Sequence, residues 1–583
     1  MNSDQNNPKG DGFRIRLLRS INDTVKRFSF SERALFIIVA AVFVGSTLFL
    51  VGSVSNNFSV NVPDKGGSFT EGIVGSPRFV NPLLAISDAD RDLVALVFSG
   101  LMKSTPSGEL VPDLAESFSI SPDGLTYSFT IREGAKFHNG KPITSEDVEF
   151  TITKVQDSAL KSPKRGNWDG VIVEKIDERN ISFTLKQAYA PFFHNTTLGI
   201  LPKHLWKNAT ADEFAFSPLN TEPVGSGPYL IKEIKRNSAG IPVEYRMDSF
   251  GSYALNEAYI SSLTLKFYNN EEDLLNSYKD GQIESIAGIS AESARILGIS
   301  GDRVEIAPLS RIYGVFFNQN QAPVFANQEV REALDVGLDK QRIINEILFG
   351  YGQILNSPIP RQDIIPPDDA ARNIPKEERT AEAQKILENA GWAKNAETGI
   401  YGKKTSKGVF VLSFTISTGD TPELKHVAEI IESEWDALGA DVSLSVFEIG
   451  DLNQNIIRPR KYDALFFGEI IGRELDLFPF WHSSQRNDPG LNIALYANIT
   501  VDKLLEETRS TLGKEDRLAK YQELLLEMSK ETPAVFVYSP NFIYLLPERI
   551  NGVLLGQLTV PAERFLDIHR WYIEKNKVWK IFK

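Results

Sequence analysis

Between residues 34 and 54 the chain has no charged residue (ALFIIVAAVFVGSTLFLVGSV), and apolar positions fall on every side of a helix rather than along one stripe. About twenty such residues span a bilayer's hydrocarbon core as a helix. Residues 55–67, SNNFSVNVPDKGG, then have the polar, glycine- and proline-bearing character of a linker. Further on, the pattern breaks into short periodic segments. Residues 125–132 (LTYSFTIR) and 441–447 alternate at period two and predict strands. Strands are also predicted at 181–185, 312–318, 411–418 and 533–539. Residues 144–155 open with an acid-rich first turn after Pro142 and predict a helix. Helices are predicted as well at 271–279, 328–338 (capped by Asn327), 339–349 and 422–438. Residues 381–392 form another, and its terminal glycine suits a left-handed cap. The strand–helix–strand order over 411–447 predicts a parallel α/β unit.

Arg14, Arg16, Arg19, Lys26, Arg27 and Arg33 precede the apolar run. The positive-inside rule therefore leaves 1–33 as a cytoplasmic basic tail, makes 34–54 a single-pass anchor and puts the remainder outside the cell membrane. A cleaved signal peptide is the rival reading, with Ser53-Val54-Ser55 as its small-x-small site. The chain has no cysteine. Disulfides, thiolate metal sites, cysteine nucleophiles and a lipid-modified cysteine are all excluded. The exported stretch, roughly 66–583, is too long for one core and predicts two or three lobes. A formal net charge of −13 argues against a nucleic-acid binder. The six histidines stand apart with no H-E-x-x-H spacing, and no G-x-S-x-G elbow occurs. The residues thus predict neither an enzyme nor a metal or cofactor. A dinucleotide reading of Gly225-x-Gly227 fails because a strand, not a helix, follows it.

Residues 79–133, FVNPLLAISDADRDLVALVFSGLMKSTPSGELVPDLAESFSISPDGLTYSFTIRE, and KFHNGKPITSEDVEF at 136–150 are scaffold-like. They resemble the amino-terminal signature of the extracytoplasmic solute-binding proteins of family 5, the oligopeptide- and dipeptide-binding proteins of ABC importers. PVGSGPY at 223–229 is similar to that family's turn back from its second lobe. The resemblance implies an α/β, periplasmic-binding-protein-like fold of class II, cluster C type: two main lobes and an extra subdomain, here with a transmembrane helix in front. Lobe one would comprise 66–110, 222–308 and 534–583, lobe two (the extra subdomain) 111–221, and lobe three 309–533. The implied function is the substrate-binding component of an ABC importer. Such a component clasps a short extended peptide between closing lobes and docks as a monomer on a permease and, through it, ATPase subunits. The same fold also serves nickel complexes, sugars and non-transport peptide sensors.

The family binds the peptide main chain as an added strand and its ammonium by an aspartate after a glycine. Residues 462–481, YDALFFGEIIGRELDLFPFW, match that motif. Gly468-Glu469 then aligns with the glycine-aspartate pair and residues 474–478 with the later Asp-Pro-Asp-x-Phe. Glu469 is the implied ammonium ligand, one methylene longer than the family's aspartate; the bland alternative pairs it with Arg473 or Lys461. No arginine stands at 417–420 for the ligand carboxylate, leaving Arg458, Arg460 and Arg473 as candidates that otherwise read as surface charges. Phe317, Phe467, Trp481, Tyr496 and Tyr538 are aromatic candidates for a pocket wall or for core. Asn492 offers amide hydrogen bonds, Ala85 and Ser87 run where relatives flank the peptide, and His482 would serve a metal complex.

Overall fold

The computed structural model describes residues 28–299, 303–360, 364, 375–406 and 408–579. The basic tail up to residue 27 lies outside them. Two compact units divide the chain: residues up to 64 together with those from 574 onward, and residues 65–573.

In the first unit one helix, Phe30–Phe58, carries the uncharged run. It extends beyond the apolar stretch at both ends, since a nucleated helix gains one hydrogen bond for each residue added. Leu35, Ile37, Val42, Phe43 and Phe49 are exposed, and the helix is long and apolar enough to cross a membrane. The segment expected to be a linker holds regular secondary structure. The helix runs to Phe58, and Ser59–Pro63 is a strand paired antiparallel with Lys575–Trp579 near the carboxy terminus.

The second unit is built on a mixed sheet of 12 strands. Its central strand, Ala534–Leu545, serves two lobes. From Ala534 to Tyr538 it pairs antiparallel with Arg311–Phe317, and from Asn541 to Leu545 with Val304–Pro308. The crossing point is Ser539-Pro540, where Ser539 Oγ donates to Leu309 O at 2.7 Å. The strand outruns its predicted end at 539 because both of its faces stay buried. Phe542 and Tyr544 enter one core, and Ile543 and Leu545 another.

The lobe-one half is centred on Ser68–Val74, parallel to Ser262–Tyr268 and followed outward by Pro242–Ser249 and Tyr229–Arg236. Glu71 on the central strand is fully buried beside Arg564, which donates to Glu71 and Asp92, each at 2.7 Å, while Tyr544 donates to Glu71 at 2.6 Å. Losing one member of such a buried triad costs about 3–5 kcal/mol, because a charge is left uncompensated.

Residues 111–221 contain a separate antiparallel sheet ordered Ala115–Ile120, Thr126–Ile131, Asn180–Thr184, Ile172–Lys175. The helix Ser145–Gln156 packs on it, opened by a capping box between Thr144 and Asp147. The turn at 223–229 ties this part to lobe one. Gly225 and Gly227 lie against the carbonyls of Val97 and Leu96 with no room for a Cβ. Gly227 N–H donates to Val97 O, and His138 N–H to Gly225 O, both at 2.8 Å.

The third lobe's sheet runs Asp441–Phe447, Ser413–Gly419, Ala464–Ile470, Arg311–Phe317, then Ala534 onward. The first three strands are parallel, with Pro422–Leu438 as the crossover helix. Period-two alternation splits the core. Val315, Phe317 and Phe466 face one side, and Ile312, Phe316 and Leu465 the other.

Candidate functional site

Two cavities of about 450 and 620 Å³ share His194, Arg473, Glu474 and Thr559 in their walls, so they form adjoining parts of one cleft. Each falls in the range of small-ligand sites. One wall comes from Phe98, Lys103, Lys164, Trp168 and Asn195, and from the turn Pro106–Leu110. The facing wall is the loop Gly472–Leu475 with Lys514, Arg517 and Tyr521, and Gln557, Thr559 and Glu563 complete it.

The loop after strand Ala464–Ile470 sets the site's electrostatics. Leu475 N–H donates to Gly472 O at 3.0 Å, closing a tight turn. A Cβ on Gly472 would stand 2.5 Å from a Glu474 carboxylate oxygen, so glycine makes the space into which that carboxylate folds. Arg473 is committed elsewhere: it donates to Glu563 at 2.5 Å and to Gln557 O at 2.9 Å. Asp476 accepts both guanidinium bonds of Arg509, at 2.8 and 2.7 Å, and a hydroxyl bond from Tyr189 at 2.9 Å. Ala190 N–H also donates to Arg509 O at 2.8 Å. Residues 189–190 are thereby joined directly to the third lobe.

Glu474 differs from these neighbours. Among the described residues no cation lies within ion-pair distance of it. Burial raises its pKa above the usual glutamate value, repulsion from Asp476 and Glu563 adds to the rise, and Lys164 across the cavity opposes it. A carboxylate held against a cavity wall with its charge unmatched is a ready partner for a cationic group.

The residues singled out in the sequence lie as follows. Glu469 is buried in the lobe-three sheet opposite Ile312, and neither cavity includes it. Its Oε2 has no hydrogen-bond partner, and burial drives its pKa far upward against weak attraction from Arg460. Its place is inside a core, away from the walls of both cavities. The physical reason is alternation: position 469 shares the face of Leu465 and Phe467, while the chain reaches the cleft only after the strand ends. Gly468 lies under the ring of Tyr313, and Phe467 is half-buried against the core. Phe317 is fully buried and packs 4.6 Å from Phe325. Trp481 is buried against Phe536 and Tyr496, at 5.7 and 6.2 Å between ring centres.

Asn492 spends its amide inside the fold, donating to the carbonyls of Trp481, His482 and Tyr496 and accepting from Tyr496 N–H at 3.1 Å. Tyr538 is buried, stacked on Tyr313 at 4.8 Å, and donates to Glu423 at 2.7 Å. None of Gly468, Phe467, Phe317, Trp481, Asn492 and Tyr538 lines the cleft. Ala85 does. Ser87 is exposed beside it and caps the helix Asp88–Val97, its Oγ accepting from Asp90 N–H at 3.1 Å. His482 stacks on Phe478 at 4.0 Å, and no group of three or more metal-ligating side chains occurs among the described residues. Sequence reasoning treated Glu474 only as part of a motif and Arg473 as a carboxylate candidate, a partner of Glu469 or a surface charge, and it passed over Lys164, Trp168 and His194. The glycine at 472, two residues before an acid, was the available signal.

Two α/β lobes joined by a shared strand, with a cleft between them and an unmatched carboxylate on its wall, make a site suited to holding a ligand. The chain belongs to the bacterial extracellular solute-binding proteins, family 5, whose sequence profile matches residues 109–488. It is 26% identical over 552 residues to the oligopeptide-binding protein AppA of Bacillus subtilis, covering 92% of this chain and 98% of that one. The structure of the B. subtilis AppA in complex with a nonapeptide superposes with a TM-score of 0.67 at 25% identity, over 88% of this chain and 100% of that one. The substrate-binding protein CtaP of Listeria monocytogenes shares the fold, with a TM-score of 0.72 at 23% identity over 88% and 100% of the two chains.

Proposed function

We propose that this protein is the peptide-capturing component of an ABC importer, held at the outer face of the cell membrane by the helix Phe30–Phe58. It performs no catalysis. A short peptide lies extended through the two adjoining cavities, its main chain recognised as a strand would be and its side chains in wet pockets that tolerate many sequences. Glu474 takes the free α-ammonium, and Arg473 holds the loop in place through Glu563. The observation that carries this reading is the unmatched Glu474 carboxylate on the wall of the cleft.

Closure brings residues 189–190 onto Asp476 and Arg509, and the pivot is the pair of connections at Leu309 and Ser539-Pro540. Such lobe motion is a hinge rotation absorbed at a few connecting residues. The closed form then docks on a permease. The nickel-complex reading has no comparable support, since His482 is already packed on Phe478 outside both cavities.

The test is calorimetry on the full chain in detergent, using a mixed pool of synthetic tetra- to nonapeptides and the same pool N-acetylated. Binding of the free pool with at least about tenfold loss on acetylation, 1.4 kcal/mol, supports the reading. Equal affinity for both pools removes the ammonium site, and binding of neither removes the peptide assignment.

A further inference from the structure

We infer that the carboxy-terminal strand is a second membrane contact, because the ribbon of Ser59–Pro63 and Lys575–Trp579 returns Trp579 to the outer end of the membrane helix, at the lipid headgroup layer. The inference rests on the reading of Phe30–Phe58 as a membrane span.

Register carries the first step. Ser59 stands opposite Trp579 and Pro63 opposite Lys575, so the strand runs back toward the helix and Trp579 faces the first residue after Phe58. Asp64 N–H donates to Glu574 O at 3.0 Å and continues the pairing on the far side.

Depth carries the second. The apolar run ends at Val54 and the helix at Phe58. Four helical residues rise about 6 Å. The headgroup region on each side of the hydrocarbon is about 5–7 Å thick. The Ser59–Trp579 pair therefore lies within that layer or at its outer edge.

Chemistry carries the third. Lys575 and Lys577 are exposed on the strand, and Trp579 ends it. Tryptophan is the residue type that concentrates at the membrane interface, and lysines are drawn to anionic phospholipid. A basic and aromatic strand end is otherwise an odd choice in a chain with a formal net charge of −13. The consequence is a short two-stranded stalk. Both chain ends of unit 65–573 pass into it, so that unit is tethered to the membrane segment at two points.

With no native cysteine, single nitroxide labels are simple to place. The full chain is reconstituted in phosphatidylethanolamine–phosphatidylglycerol vesicles with one label at a time: Val44→Cys, Ser59→Cys, Lys575→Cys or Trp579→Cys. Collision with oxygen is compared with collision with a water-soluble nickel chelate. Labels at 579 and 59 should meet nickel at least about twofold less than the label at 575, with the label at 44 shielded most. If Trp579→Cys opens the ribbon, Ser59→Cys reads the same level with Trp579 intact. Nickel access at 59 equal to that at 575, with 44 shielded, overturns the inference and leaves the anchor standing. A water-accessible 44 overturns both.

Discussion

Replacing Glu474 with glutamine removes one charge and almost no volume, so its effect on peptide affinity isolates the electrostatic contribution. Two unit charges about 4 Å apart attract by about 4 kcal/mol at the effective dielectric of 20 that suits protein sites. Desolvating the ammonium and the carboxylate offsets part of this, leaving an expected loss of about 1.5–3 kcal/mol, or 10- to 150-fold in Kd. Calorimetry with free and N-acetylated peptides on both proteins makes a double-mutant cycle. If the two changes remove the same contact, the second costs little after the first. The pH dependence has a definite sign. Glu474 must be ionised to pair, and its pKa is raised by burial and by Asp476 and Glu563. Affinity should fall as pH drops through a range above that of an ordinary glutamate, and become flat in Glu474→Gln. Glu469→Gln, at a buried site outside the cleft, should leave affinity unchanged. Additive losses from Glu474→Gln and acetylation, or a larger loss at Glu469, would refute the assignment.

Three further outcomes follow from the same geometry. Tyr189→Phe removes the hydroxyl bond to Asp476 and should weaken peptide binding by about 1 kcal/mol, with a more open ensemble by small-angle scattering; no change in either would remove this contact from closure. Gly225→Ala forces a Cβ onto the Val97 carbonyl and should cost about 3 kcal/mol or more, read from urea unfolding. Burial pushes the Asp113 carboxyl up to about 6. The folded state is therefore unpenalised below pH 4 and loses stability as pH rises through 6. Asp113→Asn should gain by up to roughly 3 kcal/mol relative to the parent between pH 4 and 7.5, and a pH-independent difference would contradict the burial argument.

The fold was largely legible because its signals are local. Alternation in LTYSFTIR predicted 125–132, and the strand is Thr126–Ile131. The proline start and leucine end of 422–438 match the helix Pro422–Leu438, and Asp441–Phe447 matches its strand. The ribbon at Ser59–Pro63 was not legible. Its partner lies more than 500 residues away, and nothing in SVNVP signals which strand will pair with it.

The candidate site was harder for a related reason. A motif gives a neighbourhood of about ten residues, but a one-residue shift along a strand changes which face a side chain takes. Glu469 falls on the core face of its strand, whereas Glu474, five residues on, falls in the turn that forms the cleft wall. Asn492 and Tyr538 carry polar atoms that looked available in sequence, yet the fold consumes them in cross-links to Tyr496 and Glu423. Buried polar side chains are usually satisfied internally, and sequence does not reveal by whom.

The most direct test of the central proposal is a crystal structure of the chain grown with a free-amine peptide. It should contain an extended main chain crossing both cavities, with its terminal nitrogen about 3 Å from a Glu474 oxygen. A metal chelate or sugar in that space, or a peptide whose amine lies away from Glu474, would contradict it.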